Sequence, residues 1–262
     1  MPQWAQCGRT ISMPRRKLIA ANWKMYKTPE DTRAFFHAFL PMMKDHTRDE
    51  IAVCPPFVCI PAAVEAANGS RVAVGGQNMF WEKEGAYTGE ISAPMLLAAG
   101  CTHVIIGHSE RRQYFGETDD TVNRKLQRAL EAGLTPIVCV GEVLQEREAG
   151  LTDEVLRRQC IGAFREISGD RAGKVTMAYE PVWAIGTGKT ATPQIAADAH
   201  RVIRHEAGRA LGDDVAKKMR ILYGGSVKPD NAKTLMSEEE IDGALVGGAS
   251  LDAKSFAAIV KY

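Results

Sequence analysis

The chain has 262 residues, of which 45% are hydrophobic, and its formal net charge is +1. A chain of this length and composition can bury a full core, either as one large α/β domain or as two smaller ones. The balanced charge gives no electrostatic footprint for nucleic acid or for an anionic membrane surface. No apolar stretch approaches the roughly 20 residues that span a bilayer, so we expect neither a nucleic-acid partner nor a membrane protein.

Residues 1–16 differ from the rest of the chain, because no acidic residue precedes Glu30 while three arginines lie in this stretch. The stretch is short and lacks an amphipathic apolar period, which argues against an organelle-targeting sequence. We expect a disordered N-terminal extension, or a start at Met13, followed by a single domain over residues 17–262.

Six cysteines are scattered through the chain without a Cys-x-x-Cys pair. Several lie in apolar runs, where cysteine behaves as a small hydrophobic residue, so we expect reduced, structural cysteines in a cytoplasmic protein. Cys54 with Cys59, and His200 with His205, are spaced like possible ligand pairs, but neither has the complementary pair that a zinc site needs. We therefore expect no metal.

Strand-like apolar runs alternate with helix-like segments from Lys17 onwards. The first run, residues 17–21, is followed by Thr28 as an N-cap and Pro29 at the first helical position, and then by apolar residues at helical spacing. The longest helix is predicted over residues 193–211. The other predicted strands cover residues 51–54, 71–77, 103–107, 135–140, 174–179, 220–224 and 243–247, with shorter helices over 60–67, 93–100 and 119–133.

About eight such units favour an α/β fold in the form of a closed eight-stranded parallel (β/α)8 barrel. Short continuous apolar strands suit a parallel sheet covered by helices, and a doubly wound open sheet is the alternative. In a barrel, reactive side chains gather past the ends of many strands. Such residues follow the first, fourth, sixth, seventh and eighth strands, namely Asn22 and Lys24, His108, Ser109 and Glu110, Glu180, Gly224 to Ser226, and Gly247 with Gly248.

Five segments of the chain resemble the triosephosphate isomerase family. They are ANWKM at 21–25, VIIGHSERR at 104–112, AYEPVWAIGTGKTAT at 178–192, YGGSV at 223–227 and ALVGGASL at 244–251. All occur in order and at compatible spacings, which a chance motif match does not produce. The resemblance implies a TIM barrel that interconverts glyceraldehyde 3-phosphate and dihydroxyacetone phosphate through an enediol(ate), in glycolysis and gluconeogenesis, without a cofactor.

This reaction needs a base and an electrophile. Glu180 fits the base, because a closing cover can desolvate a carboxylate at a strand mouth and so raise its pKa. A structural ion pair is the alternative role for this residue. His108 fits the electrophile, since a helix that starts at Ser109 disfavours the imidazolium form and a neutral imidazole can donate to substrate oxygens. The other five histidines are expected to be structural or exposed.

Lys24 and Asn22 follow the first strand and complete the predicted catalytic set. Lys24 supplies a cation where negative charge grows in the enediolate and near the phosphate, and Asn22 donates a neutral hydrogen bond to the same oxygens. Either residue alone could be a solvated side chain. The resemblance implies that Glu110 pairs with Lys24 to position it and that Ser109 shapes the pocket of His108.

Phosphate is expected to bind backbone amides at tight turns, where glycine allows a close approach. Ser226, Gly247 and Gly248 match the phosphate grip of the family after the last two strands, and Gly186 joins them from the segment after Glu180.

Residues 181–191 resemble the lid of the family, whose closure expels water from the site. Their tail, Gly188-Lys189-Thr190, also resembles part of a P-loop. The P-loop pattern, however, needs a glycine at the position of Trp183, and a bulky indole there blocks the close backbone approach to phosphate. The segment is therefore interpreted as a cover over the site.

The loop over residues 77–90 is long for a βα connection. It carries four large apolar residues, Met79, Phe80, Trp81 and Tyr87. Such a patch is a liability if it is exposed. In the family this loop inserts into a neighbouring subunit, with the residue that matches Thr88 reaching towards its active site, so the resemblance implies a homodimer. The alternative is that the loop folds onto its own barrel.

Three other functions compete with this one: another phosphate-binding barrel isomerase, a nucleotide-binding module, and a non-catalytic barrel scaffold. The first has no need of Asn22, Lys24, His108 and Glu180 together. The second predicts nucleotide binding and a magnesium requirement. The third could lose the base, the electrophile and the cation, yet all three positions are filled.

Overall fold

A computed structural model describes residues 15–184 and 191–262 of the chain. Its strands form one closed parallel barrel in chain order, in which the first strand pairs with both the second and the eighth. The strands are β1 Leu18–Asn22, β2 Glu50–Cys54, β3 Val72–Gly76, β4 His103–Ile106, β5 Thr135–Val140, β6 Thr176–Tyr179, β7 Arg220–Tyr223 and β8 Gly243–Val246. The closed barrel predicted from the sequence is confirmed, and the doubly wound open sheet is excluded.

Helices cover the outside of the barrel and alternate with the strands. Within the described residues they are α1 Pro29–Met43, α2 Ile60–Ala67, α3 Ala93–Ala98, α4 Ser109–Tyr114, α5 Asp119–Ala132, α6 Leu144–Glu148, α7 Thr152–Phe164, α8 Pro193–Leu211, α9 Asp213–Lys218, α10 Ala232–Met236 and α11 Ala253–Lys261. Short 3-10 turns occupy Phe57–Cys59, Arg171–Lys174, Val182–Ala184 and Gly248–Ser250.

The helix ends follow local signals in the sequence. Thr28 caps α1, where its side chain accepts a hydrogen bond from the backbone N–H of Asp31 and Pro29 occupies the first turn. At the other end of a helix, Gly133 terminates α5 with φ of 90°, a left-handed conformation that glycine adopts without strain. Helix α8 has the bounds predicted from the sequence, because Thr192 caps it and Gly212 ends it.

Two apolar layers hold the barrel together. Alternate strand residues such as Leu18 and Ala20 fill the interior, while Ile19 and Ala21 pack outwards in the larger core beneath the helices. Both faces of each strand are therefore buried, which explains why the strands read as continuous apolar runs.

The five cysteines in the described part of the chain are buried and free.

Arg15 and Arg16 lie against the end of the barrel where the strands begin. Arg15 donates from Nε to the buried Asp242 at 2.6 Å, and Arg16 donates to the carbonyls of Thr47 and Asp49. Residues 1–14 lie outside the described residues, so the predicted N-terminal extension stays a prediction. Among the helices that the structure describes, none is both long and apolar enough to cross a membrane.

Candidate active site

A cavity of about 320 Å³ opens at the carboxyl ends of the strands. The structure brings seven of the predicted site residues to its wall, namely Asn22, Lys24, His108, Glu180, Ser226, Gly247 and Gly248. Six further residues line it, namely Gly224, Gly225, Val227, Lys228, Leu245 and Ala249. Of the other predicted residues, Ser109 and Glu110 contact this wall from the adjoining α4, Thr88 lies exposed in its loop, and Gly186 falls outside the described residues.

Glu180 follows β6 and is almost completely buried. Its backbone N–H donates to the carbonyl of Val140 at 2.8 Å, which extends the sheet by one residue. Gly141 lies directly against the backbone of Glu180, and a Cβ at position 141 would overlap the Glu180 carbonyl oxygen. A Cβ at Gly224 would approach the Glu180 side chain to 2.9 Å. Two glycines that follow the neighbouring strands β5 and β7 thus make room for the backbone and the side chain of Glu180.

Three hydrogen bonds hold the Glu180 carboxylate in its present position. The backbone N–H and the hydroxyl of Ser109 each donate to it at 2.9 Å, and His108 Nε2 lies 3.0 Å from Oε1. Burial raises the pKa of Glu180, but the neighbouring His108 and the hydrogen bonds from Ser109 outweigh burial and lower the pKa below its usual value. From the sequence we expected desolvation to raise the pKa of Glu180. While the carboxylate contacts Ser109, its pKa is lowered instead.

His108 follows β4 and caps the first turn of α4. Its Nδ1 accepts a hydrogen bond from the backbone N–H of Glu110 at 3.3 Å, so the ring proton of the neutral form lies on Nε2. Burial lowers the pKa of His108, but the carboxylates of Glu180 and Glu110 raise it more strongly. From the sequence we expected the helix N-terminus to lower the pKa of His108. That prediction did not take account of the Glu180 carboxylate, which contacts the ring in this arrangement.

Lys24 lies beside His108 on the loop after β1. Its Nζ forms an ion pair with Glu110 Oε1 at 2.6 Å, and its backbone N–H donates to Oδ1 of Asn22 at 3.1 Å. The backbone of Lys24 has φ of 52°, a left-handed conformation that is uncommon for a residue other than glycine. The loop therefore holds the ammonium group in one place through contacts on several sides.

The turns after β7 and β8 form the other end of the cavity. The carbonyl of Ser226 accepts a hydrogen bond from Asn231 Nδ2 at 3.0 Å, and the carbonyl of Gly247 accepts from the backbone N–H of Ser250 at 2.8 Å. A Cβ added at Gly248 would meet no atom within 4 Å, so this part of the wall is open backbone. A bulky anion can approach these turns closely.

Glu142 was not singled out from the sequence, yet it anchors the segment that follows Glu180. This fully buried carboxylate accepts hydrogen bonds from the Tyr179 hydroxyl at 3.0 Å and from Trp183 Nε1 at 2.8 Å. Its backbone carbonyl accepts from the N–H of Val182 at 3.1 Å. The first predicted hinge of the lid is thus tied to β5, while residues 185–190 lie outside the described residues.

The 77–90 loop differs in part from its predicted form. Met79 is completely buried and belongs to the barrel core rather than to an exposed patch. Phe80 packs against Trp81 and Tyr87, with ring centroids 4.0 and 4.6 Å apart respectively. The Tyr87 side chain is 45% exposed, and the residues of the loop tip around Thr88 are exposed to solvent.

Gln77 is a second residue that sequence reasoning left unassigned. It follows β3, as Glu142 follows β5, and both are polar residues just past a strand end. That rule identified candidates on five other strands, and applying it to β5 would have found Glu142, whereas the predicted strand over 71–77 included Gln77 and so concealed it. Within the described residues, no group of three or more His, Cys, Asp or Glu side chains is arranged to hold a metal ion.

Removal of a proton from a carbon beside a carbonyl requires a carboxylate and a hydrogen-bond donor at one cavity. This barrel supplies them from the ends of β6 and β4, with a cation from the end of β1. Fold and site together define a (β/α)8-barrel isomerase.

The chain belongs to the triosephosphate isomerase family, whose sequence profile matches residues 17–262. It is 58% identical over 248 residues to the triosephosphate isomerase of Solibacter usitatus, an alignment that covers 95% of this chain and 100% of that protein. It is 56% identical to the enzyme of the same name from Moorella thermoacetica and 52% identical to that of Citrifermentans bemidjiense, each over 95% of this chain and 99% of the relative.

Proposed function

We propose that this protein interconverts glyceraldehyde 3-phosphate and dihydroxyacetone phosphate by proton transfer through an enediol(ate), as a step of glycolysis and gluconeogenesis. One observation carries the proposal. A buried carboxylate, Glu180, and the proton-bearing Nε2 of His108 lie 3.0 Å apart on the wall of a cavity that Lys24 also lines. Base, proton donor and cation are the three groups that this isomerisation needs.

In the proposed mechanism, Glu180 first leaves Ser109 and turns towards the substrate. Its carboxylate then takes a proton from the carbon next to the carbonyl. The electron pair of that C–H bond forms the C=C bond of the enediolate, and the π pair of the carbonyl moves onto its oxygen. The protonated Glu180 returns a proton to the neighbouring carbon, so that the carbonyl and hydroxyl groups exchange places. Only protons move, between the two carbons through Glu180 and between the two oxygens, and the overall oxidation state stays constant, which is why no redox cofactor is required.

His108 and Lys24 act on the oxygens. Nε2–H of His108 donates to the developing enediolate and transfers protons between its two oxygens. Without Glu180 beside the ring, the main influence that raises the pKa of His108 is lost, which favours the neutral donor form. The ammonium of Lys24 stabilises the negative charge, and the amide of Asn22 donates to the same oxygens.

The phosphate of the substrate is proposed to bind at Ser226, Gly247 and Gly248, with Gly186 joining from the lid. The glycines leave the backbone accessible, and Lys24 adds positive charge at the same cavity. Closure of residues 181–191 would expel water and retain the enediolate, with the contacts of Trp183 and Val182 to Glu142 marking one hinge.

We further propose a cytoplasmic homodimer formed through the 77–90 loop. The large apolar side chains that are at least two-fifths exposed include Met25 and Tyr26 after β1, Tyr87 in the 77–90 loop, and Tyr114 and Phe115 at the end of α4. A second copy of the chain would cover this surface. Sedimentation equilibrium tests the assembly: a dimer is expected for the unmodified chain and a monomer for Met25→Asp, and a monomeric unmodified chain would exclude it.

A coupled assay tests the reaction itself. The purified chain is expected to isomerise glyceraldehyde 3-phosphate in the presence of a chelator and without added nucleotide. A folded protein that fails to turn over this substrate, or that requires magnesium and a nucleotide, would contradict the proposed function.

A further inference from the structure

The backbone of the catalytic lysine is strained and has to be held by its surroundings. Lys24 has φ of 52°, and left-handed backbone is costly for a residue with a Cβ. Such a conformation persists only where neighbouring contacts stabilise it. The direction of the Lys24 side chain depends on this backbone, so whatever holds φ also sets the position of Nζ.

The side chain of Gln77 supplies such a contact. Its Nε2 donates one hydrogen bond to the carbonyl of Lys24 and another to the carbonyl of Cys54, both at 2.9 Å. A primary amide nitrogen has two N–H groups, so both donors of Gln77 are used. One side chain after β3 thus joins the strained loop after β1 to the end of β2, across 53 residues of sequence in the first case.

Gln77 is itself firmly placed by its neighbours. It follows the last residue of β3, and the next residue, Asn78, is buried and accepts a hydrogen bond from Nζ of Lys125 at 2.8 Å. Lys125 is also paired with the buried carboxylate of Glu117. Consecutive side chains at 77 and 78 therefore bind the loop after β1 on one side and helix α5 on the other.

We propose that Gln77 is a positioning residue for Lys24. The Gln77 amide binds the Lys24 carbonyl and so holds the Lys24 backbone in the left-handed conformation. This backbone conformation directs Nζ of Lys24 to the cavity, where it lies 2.6 Å from Glu110 Oε1. The proposal rests on the proposed function, in which Lys24 attracts the substrate phosphate. Gln77 is not among the residues that line the cavity, so its proposed effect on the site passes through Lys24.

Gln77→Met tests this role, because methionine keeps the length of the side chain and removes both N–H donors. Asn123→Leu is a matched control: Asn123 Nδ2 also donates to two backbone carbonyls, those of Ala163 and Arg165, but it lies on α5 and faces the end of α7, away from the cavity. Both variants lose two hydrogen bonds from a side-chain amide to backbone carbonyls, and Asn123→Leu also loses the one that Asn123 Oδ1 accepts from Gln127 Nε2. Only the first is expected to disturb Lys24.

The readouts are KM and kcat for glyceraldehyde 3-phosphate and the calorimetric affinity for inorganic phosphate. Loss of a cation that binds phosphate in both ground and transition states raises KM, whereas partial unfolding lowers only kcat through the active fraction. Gln77→Met is expected to raise KM and to weaken phosphate binding about tenfold or more, and Asn123→Leu to change neither. Gln77→Asn, whose amide is one methylene too short, serves if the methionine variant does not fold.

The outcomes separate this inference from the proposed function. If the unmodified chain does not isomerise the substrate, the proposed function fails, while phosphate affinity still reports on Gln77. If Gln77→Met, or its asparagine substitute, keeps KM and phosphate affinity within about twofold of the unmodified chain, Gln77 does not position Lys24.

Discussion

Ser109 donates two hydrogen bonds to the carboxylate of Glu180, one from its backbone N–H and one from its hydroxyl, each 2.9 Å long. Both donors belong to Ser109, the first residue of α4, and the acceptor follows β6, so the contact spans 71 residues of sequence. A carboxylate held in this way is stabilised in its charged form. In the proposed mechanism, Ser109 defines the resting position of the base.

Ser109→Ala is expected to raise the pKa of Glu180, because the hydroxyl hydrogen bond lowers that pKa. The acid limb of the kcat/KM profile against pH should move to higher pH, since this limb reports the free enzyme. Ser237→Ala, which removes an exposed hydroxyl bonded to the Thr234 carbonyl, serves as the control and should leave the profile unchanged. An unshifted limb in Ser109→Ala would argue against the resting contact in solution.

Gly141→Ala should be strongly destabilising, because the new Cβ would overlap the backbone of Glu180. We expect a loss of about 2–4 kcal/mol in the free energy of unfolding, together with lower kcat as Glu180 shifts. Gly173→Ala adds a Cβ that meets no atom within 4 Å and should change stability by less than about 0.5 kcal/mol. Urea unfolding compares the two, and equal stabilities would contradict the close approach at Gly141.

Glu142→Leu should destabilise the fold and the first hinge together. It removes the acceptor of the buried Tyr179 hydroxyl, at a cost of about 1–3 kcal/mol, and one hydrogen bond of the half-buried Trp183 indole N–H. Glu142→Gln keeps an acceptor oxygen and should lose much less. Thermal unfolding of both variants tests this difference, and a leucine variant as stable as the glutamine variant would show that these bonds contribute little.

His200 should make stability depend on pH. Burial lowers the pKa of His200 to about 4, while its Nδ1 lies 2.9 Å from the Glu240 carbonyl. Within the described residues its Nε2 has no hydrogen-bond partner, and the ring packs edge-on against Tyr179. Because the unfolded chain takes up the proton below about pH 6.5 and the folded chain does not, the contribution of His200 to stability should fall as pH drops from about 6.5 to 4 and then level off.

The expected loss from His200 is about 3 kcal/mol over this range, from the difference between the two pKa values. Urea unfolding at several pH values measures it. His200→Gln should flatten the dependence, whereas His205→Gln, at an exposed position on the same helix, should keep it. A steep fall in the His200→Gln variant would assign the effect to other groups.

Features governed by local sequence could be predicted, and features that depend on distant packing could not. Helix α8 was predicted at its observed bounds because Thr192, Pro193 and Gly212 signal both ends. The barrel followed from the spacing of apolar runs, and the cavity from polar residues past the strand ends. The burial of Met79, in contrast, depends on how its loop packs on the barrel, which the composition of the loop does not reveal.

The electrostatics of the site needed the coordinates. The contact between Glu180 and Ser109 depends on a side-chain conformation, and it reverses the pKa directions expected for Glu180 and His108. The bond from Gln77 to the Lys24 carbonyl likewise joins two loops that are distant in sequence, and the left-handed backbone of a lysine has no sequence signal.

The most direct test of the account is the turnover of Glu180→Gln, which keeps the shape of the side chain and removes the base. The account predicts that this variant folds with unchanged circular dichroism and loses about 10²–10⁴-fold in kcat. Glu154→Gln, an exposed change of the same kind on α7, should retain full activity. Turnover of Glu180→Gln close to that of the unmodified chain would contradict the assignment of Glu180 as the base.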